Sequence, residues 1–249
     1  MRYKFAGVSF INSLPFFCGG KPAHFDMQFA CPSELNKMAE RGECDALMIS
    51  RWVYPACERD YAVLPRFCIG GDGEIMSIKL FSNLGIERAG EGSIFITPQT
   101  GSSSRAFRKI CMEKYGYDIL ALPRKPLGQA DSAILIGDDA LVFDARAYKY
   151  AYDLGELWKS FAPCKMTYAA FVVKRGVYAD AAPKLAEYLD HSLALFRENP
   201  GPVYRRAAEL SGGRLGIDVI KKYYSRIIFK MSEDDFNKSF EYIEKNGAV

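Results

Sequence analysis

Short apolar runs that end abruptly on polar residues or glycine recur along the chain up to residue 173, and helical patterns dominate after it. The sharpest run is Ala133-Ile-Leu-Ile-Gly-Asp-Asp-Ala-Leu141, in which three large aliphatic residues stop at Gly137 and two carboxylates follow before the apolar pattern resumes. That reads as a buried strand ending in a turn, and in a parallel α/β sheet the carboxyl ends of strands are where ligands sit. Residues 3–10, 25–30 and 45–50 read as three further strands. Between the last two, Pro32-Ser33-Glu34 opens a helical pattern that stops at Gly42, a residue type favoured just past a helix end, so a parallel β-α-β unit is expected.

Residues 61–64 read as a short strand, after which the run Cys68-Ile-Gly-Gly-Asp-Gly73 feeds residues 74–82, whose alternation suits one extended strand. The glycines Gly70, Gly71 and Gly73 fit neither the spacing nor the helix context of a phosphate loop, so they read as a hinge. Residues 93–97 form a strand, Thr100-Gly-Ser-Ser-Ser-Arg105 leads into a helix over 106–115, and a proline-rich turn covers 123–126. The apolar segment 167–173 is expected to pair with residues 75–81 and return the chain to its first lobe, with helices following at 178–198, 203–211, 217–224 and 233–246. Two extended crossings around an inserted α/β unit predict a discontinuous first lobe, residues 1–82 and 165–249, a second lobe over 83–164, and a cleft lined by strand ends from both.

Composition narrows the partners. The 249 residues are 49% apolar, enough for a sizeable core, and Lys plus Arg outnumber Asp plus Glu by only 33 to 30 with no basic stripe, which argues against nucleic acid. No apolar run approaches the roughly 20 residues of a membrane helix, and the start of the chain lacks an apolar signal region, so a soluble cytoplasmic protein is expected. Seven cysteines without a C-x-x-C pair read as reduced, packed thiols, and two histidines, His24 and His191, leave little material for a metal site or a Ser-His-Asp triad.

Several residue groups could carry chemistry. Asp138 and Asp139 follow a strand end, yet either could simply cap the next helix. Gly137 would let the backbone approach a ligand or adopt a positive φ. Ser9, Asn12 and Ser13 lie at the first strand's exit, where Asn12 could line a cleft or cap the following segment, and Ser50 and Arg51 leave a neighbouring strand on the same side. Thr100, Ser102 and Ser103 stand at a helix start whose free N–H groups suit a carboxylate or phosphate, or serve as an ordinary cap with spare serines. Glu34 could be a base, but an acid facing the helix dipole is the more ordinary role.

With these residues laid out, the chain resembles the chorismate dehydratases of the futalosine route to menaquinone. The likeness is spread over roughly residues 5 to 160: Val8-Ser-Phe-Ile-Asn-Ser-Leu-Pro15, the segment around Gly42 to Ser50, Leu64-Pro65 to Cys68-Ile69, Gly73-Glu-Ile-Met-Ser77, Thr97 to Ser103, Ile136-Gly-Asp-Asp-Ala-Leu141 and Asp153-Leu-Gly-Glu-Leu-Trp158. The last two motifs are the specific ones. The resemblance implies a two-lobed α/β fold like the type II periplasmic binding proteins, with two crossover strands and a ligand cleft between the lobes. It implies loss of water from chorismate to give 3-[(1-carboxyvinyl)oxy]benzoate, with no metal and no organic cofactor. It places Ser9, Asn12, Ser50, Ser77, Thr100, Ser102, Ser103, Gly137 and Asp138 at the cleft. The chain departs from the family pattern at Thr100 and Ser102, where Ser and Thr are expected, at Glu74 and Met76, and over residues 162–168.

On that resemblance, Asn12 with Ser77 orients the ring and leaving hydroxyl, and the helix start at Ser102 and Ser103 takes one carboxylate. The base is either Asp138 or the substrate's own enolpyruvyl carboxylate. Two other readings stay open: a small-carboxylate binding or sensor module, and the sister enzyme 1,4-dihydroxy-6-naphthoate synthase, whose N-terminal motif is expected to be rich in Ser and Asp.

Overall fold

The computed structural model describes residues 2–100 and 102–246. In chain order its strands and helices are β1 (Tyr3–Val8), β2 (Phe25–Ala30), α1 (Pro32–Glu40), β3 (Ala46–Ser50), α2 (Tyr54–Cys57), β4 (Tyr61–Gly71), β5 (Ile78–Ser82), β6 (Ile94–Ile96), α3 (Ser102–Ile110), β7 (Ser132–Ile136), α4 (Gly137–Val142), β8 (Tyr150–Asp153), α5 (Leu154–Phe161), β9 (Met166–Lys174), α6 (Tyr178–Glu198), α7 (Gly201–Leu210), α8 (Ile217–Arg226), β10 (Ile228–Lys230) and α9 (Glu233–Asn246). A six-stranded sheet runs β10-β4-β9-β3-β1-β2 and a four-stranded sheet runs β6-β7-β5-β8. β2, α1 and β3 form the expected β-α-β unit with both strands running the same way, but the two strands do not pair with each other: each pairs in parallel with β1, which lies between them.

The first sheet is held by an aromatic cluster in which Phe5 meets Phe25 and Phe171, and Phe171 meets Phe16, at ring-centroid distances of 5.8, 6.0 and 4.9 Å. Each of these side chains is essentially fully buried, a contribution of about 2–3 kcal/mol apiece. Arg51, which also has no solvent exposure, turns away from the strand exit toward α9: its Nη2 donates to Phe240 O at 2.6 Å and its guanidinium lies 3.9 Å from the Phe240 ring centroid.

The crossings differ from the expected arrangement. Segment 167–173 does not pair with 75–81; β9 lies between β3 and β4, antiparallel to both. Its residues are apolar on both faces, so the centre of a covered sheet is where both faces are buried. Residues 74–82 are not one strand. β4 runs from Tyr61 through Gly71, interrupted by a bulge where Arg66 takes φ +74°, and the chain then turns before β5. Because β5 bonds to β7 and β8, residues 78–82 belong to the second sheet, and the first crossing lies at residues 72–77 rather than ending at 82. The helix expected over 106–115 starts earlier, at Ser102, and ends in a π-helical turn, Cys111–Tyr115, closed by Gly116 at φ +78°.

Candidate functional site

Strand ends from both sheets, the first crossing and the early part of β9 surround a cleft of about 680 Å³, part of it open to solvent. Its polar lining is Asn12, Asn36, Ser50, Ser77, Gln99, Ser103 and Tyr168, with Gly137 among apolar residues such as Phe10, Met48, Ile49, Ile75 and Ile136. Among the described residues no Asp, Glu, His, Lys or Arg lines it. Three of the lining polar atoms, Asn12 Oδ1, Ser50 Oγ and Tyr168 OH, are buried and have no hydrogen-bond partner among the described residues. Buried polar groups are ordinarily satisfied within the protein, so unmatched atoms around one cavity mark it as built for a polar ligand.

Asn12 sits in a 3-10 turn, Ile11–Phe16, that β1 runs into. Three parts of the chain hold this turn. Ser13 Oγ donates to Val8 O and Phe10 O at 2.6 and 2.9 Å, Tyr224 OH of α8 donates to Ile11 O at 2.7 Å, and Ile11 N–H donates to Asp138 Oδ1 at 3.3 Å. The neighbouring Tyr223, only 1% exposed, brings its hydroxyl against the Ser77 and Asn12 side chains, and burial pushes its phenol well above the ordinary value. Both tyrosines thus back the floor of the cleft from the last third of the chain.

Ser77 closes the first crossing in a strained turn. Its N–H donates to Ile75 O at 2.8 Å across Met76, which takes φ +65°, a conformation costing a β-carbon-bearing residue about 1–2 kcal/mol. Asp153, at the end of β8, holds that turn: its carboxylate accepts from Ile75 N–H at 2.9 Å, Met76 N–H at 2.7 Å and Gly155 N–H at 2.9 Å. Burial raises the Asp153 carboxyl and the backbone donors pull it back down. The same knot explains Gly155, where a β-carbon would lie 2.0 Å from Gly73 O. Ser77 O in turn accepts from Gly137 N–H at 2.7 Å, and Gly137 takes φ +62° with the Phe10 ring where a β-carbon would sit, 2.7 Å away.

On the first sheet's wall, Asn36 of α1 accepts the Ser50 N–H at 3.1 Å through Oδ1. On the second sheet's wall Ser103 stands at the start of α3; Gly101 and the Ser102 side chain lie outside the described residues. Three expected cleft residues are elsewhere. Ser9 is exposed and its N–H extends the β1–β2 ladder by donating to Ala30 O at 2.9 Å. Thr100 Oγ1 accepts from Ser104 N–H at 3.3 Å, so it caps α3. Asp138 is absent from the lining because its carboxylate turns to the back of the Ile11–Phe16 turn; burial pushes it up to about 6. Glu34 faces outward and pairs with Arg41 at 2.8 Å.

Asn36, Gln99, Tyr168 and Tyr223 went unmarked by the sequence reading. Asn36 had a legible signal, an amide four residues after Pro32 on the same face as the buried Leu35, Met38 and Ala39. Tyr168 and Tyr223 had none, because tyrosines in apolar patterns read as core.

Two sheets joined by two crossings over a polar cleft define a two-lobed type II periplasmic-binding-protein fold. The neighbours agree: a protein of Archaeoglobus fulgidus superposes with TM-score 0.78 over 100% of this chain and 98% of its own at 16% identity. The alkanesulfonate-binding protein SsuA from Xanthomonas axonopodis pv. citri, solved bound to MOPS, does so with TM-score 0.69 over 99% and 93% at 11% identity. The chain belongs to the menaquinone biosynthesis family, whose profile matches residues 3–244. It is also 24% identical over 190 residues to a 1,4-dihydroxy-6-naphthoate synthase of Streptomyces coelicolor, a match covering 73% of this chain and 66% of that protein's length. Among the described residues no helix is long and apolar enough to cross a membrane, and no cluster of three or more His, Cys, Asp or Glu side chains could hold a metal ion.

Proposed function

We propose that the chain is an enzyme of menaquinone biosynthesis, a chorismate dehydratase that removes water from chorismate to give 3-[(1-carboxyvinyl)oxy]benzoate. The observation that carries this reading is a cleft with amides and hydroxyls but, among the described residues, no charged side chain in its lining. Such a site offers orientation and hydrogen bonds, and its one titratable lining group, Tyr168, has its phenol raised by burial and is neutral at ordinary pH. A reaction performed here draws its base from the substrate. Chorismate brings one: its enolpyruvyl carboxylate lies beside the C3–H, which is vinylogous to the ring carboxylate and therefore acidic. That carboxylate takes the C3 proton, the C3–H electrons form the last ring double bond, the C4–O bond breaks with its electron pair going to oxygen, and the carboxyl passes its proton to that oxygen so that water leaves and the carboxylate is restored. Aromatisation drives the step, and fixed geometry is what remains for the protein to supply.

In this reading Asn12 and Ser77 orient the ring and the leaving hydroxyl, Ser103 at the start of α3 meets one carboxylate, Gly137 shapes the second sheet's wall and Ser50 the opposite one. Ser9 and Thr100 support the strand and helix that carry the site, and Asp138 positions the Ile11–Phe16 turn instead of acting as base. The first test is purified protein mixed with chorismate and products followed by chromatography with mass detection. A product lighter by one water, absent without protein, is expected. Asn12→Ala should lower turnover by about 10²–10⁴-fold, as loss of an oriented polar group at the reacting centre does.

The sister activity is the second reading, favoured by the match to the Streptomyces synthase. It predicts that chorismate survives unchanged while the larger cyclic nucleoside-derived substrate is consumed. A pure binding module predicts a higher Tm with chorismate and no product.

A further inference from the structure

The wall of the cleft opposite α3 contains an arrangement that the reading above leaves without a task. Pro32 and Asn36 lie one helical turn apart on α1 and both line the cleft, so the opening of this nine-residue helix faces the space between the sheets. Its backbone has little to offer a ligand there. Pro32 carries no N–H, and the N–H groups of Glu34 and Leu35 close back on Cys31 O at 3.0 and 3.1 Å. The side chains are different. Asn36 and Ser50 are each 8% exposed and both line the cleft. Ser50 Oγ is buried with no partner among the described residues. Asn36 Oδ1 is committed to Ser50 N–H at 3.1 Å, which fixes the amide's orientation and leaves Nδ2 as the group it presents. No acceptor for Nδ2 exists among the described residues, so both side chains bring an unengaged polar group to the same stretch of lining.

We infer that Asn36 is a substrate-binding residue and that, with Ser50, it forms a carboxylate subsite on the first sheet's wall, facing the one at the start of α3. The inference rests on the reading that a small dianion occupies the cleft. A site for a dianion with no cation in its lining needs neutral donors at both ends, and Asn36 Nδ2 with Ser50 Oγ supplies them on the side α3 does not reach. The Glu34 carboxylate on the same helix is turned outward toward Arg41, 2.8 Å away, and so does not oppose an anion there. Selectivity follows: a ligand with two carboxylates engages both walls and draws the lobes together, whereas a monocarboxylate engages one.

Asn36→Asp separates this role from a structural one, because the new side chain still accepts the Ser50 N–H but replaces the donor with a negative charge. The expected result is an unchanged Tm in the free protein, KM for chorismate raised by at least about 30-fold at pH 8, and a smaller effect on kcat. Part of the KM loss should return below the pH at which the introduced carboxyl takes a proton. Ser50→Ala, which removes the second donor without adding charge, should raise KM by about 3–10-fold. An Asn36→Asp protein with native KM overturns the inference while leaving the dehydratase reading intact. If wild-type protein does not turn over chorismate, that reading fails on its own, and the subsite is read by thermal shift. Benzene-1,3-dicarboxylate should stabilise wild type more than benzoate does, and Asn36→Asp should abolish that difference; equal shifts by the two probes in wild type, or a difference that survives in the variant, overturn it.

Discussion

Two aspartates in the second sheet occupy nearly the same local setting and do different things. Asp138 follows β7 and opens α4; Asp153 ends β8 and opens α5. Burial raises both carboxyls. Asp153 is met by three backbone N–H groups at 2.7 to 2.9 Å, two of them from the first crossing and one from α5, and so ties that crossing to the β8–α5 junction. Asp138 is met by one donor, Ile11 N–H at 3.3 Å, and sits at about 6, near neutrality for a carboxyl. The difference teaches that a strand-acid-helix junction specifies an acceptor and leaves its task to whatever donors the fold brings up. Neither carboxylate is among the residues that line the cleft.

The comparison breaks hardest at the knot. Asp153→Ala leaves buried N–H groups without an acceptor and frees the turn at Met76; a loss of about 3–4 kcal/mol is expected in denaturant unfolding, with the cleft's ligand response lost as well. A loss below about 1 kcal/mol would mean that the knot is not what holds the first crossing.

Next comes the junction that Asp138 shares with Gly137. Gly137→Ala places a β-carbon where φ is +62° and the Phe10 ring already lies 2.7 Å away, so about 2–3 kcal/mol of stability should go, with Phe10 displaced from the cleft wall. A variant with native stability and native turnover would sink the claim that this backbone geometry is required.

Asp138→Asn sharpens the comparison by pH. The native carboxyl titrates near 6 and the unfolded one near 3.9, so the folded state holds a proton that the unfolded state has already lost. The stability this gives is complete below about pH 4 and is lost as pH rises through about 6. After allowance for partial exposure the change across that window is about 2 kcal/mol, and Asp138→Asn should flatten it. Unfolding midpoints of both proteins at pH 4.5 and 7 check the slope. Turnover of the Asn variant should stay within about 3-fold of wild type; a collapse of 100-fold or more would restore Asp138 as the base.

Tyr223→Phe should give the smallest effect. Removing a hydroxyl that backs Ser77 and Asn12 should lower kcat about 3–10-fold with little change in KM. No change in either would leave Tyr223 as packing.

Strand ends, glycine positions and helix spans were readable because they follow from local periodicity and backbone sterics. The run Ile134-Leu135-Ile136-Gly137 announced its own end, and α6 and α9 fall at the bounds their patterns predict. The β2-α1-β3 unit and the two-sheet fold followed from the same signals, but the placing of β1 between β2 and β3 did not. Asn12, Ser50, Ser77 and Ser103 reach the cleft because each sits at a junction whose direction the strand or helix before it sets. What only the tertiary structure decided depends on groups far apart in the chain. The position of β9 in the first sheet, the capture of Ile75 N–H by Asp153 78 residues later, and the bond from Tyr224 to Ile11 across 213 residues have no local signature. The aspartates show the physical reason: a residue's neighbours in sequence set where its side chain begins, and the donors packed against it set what it does.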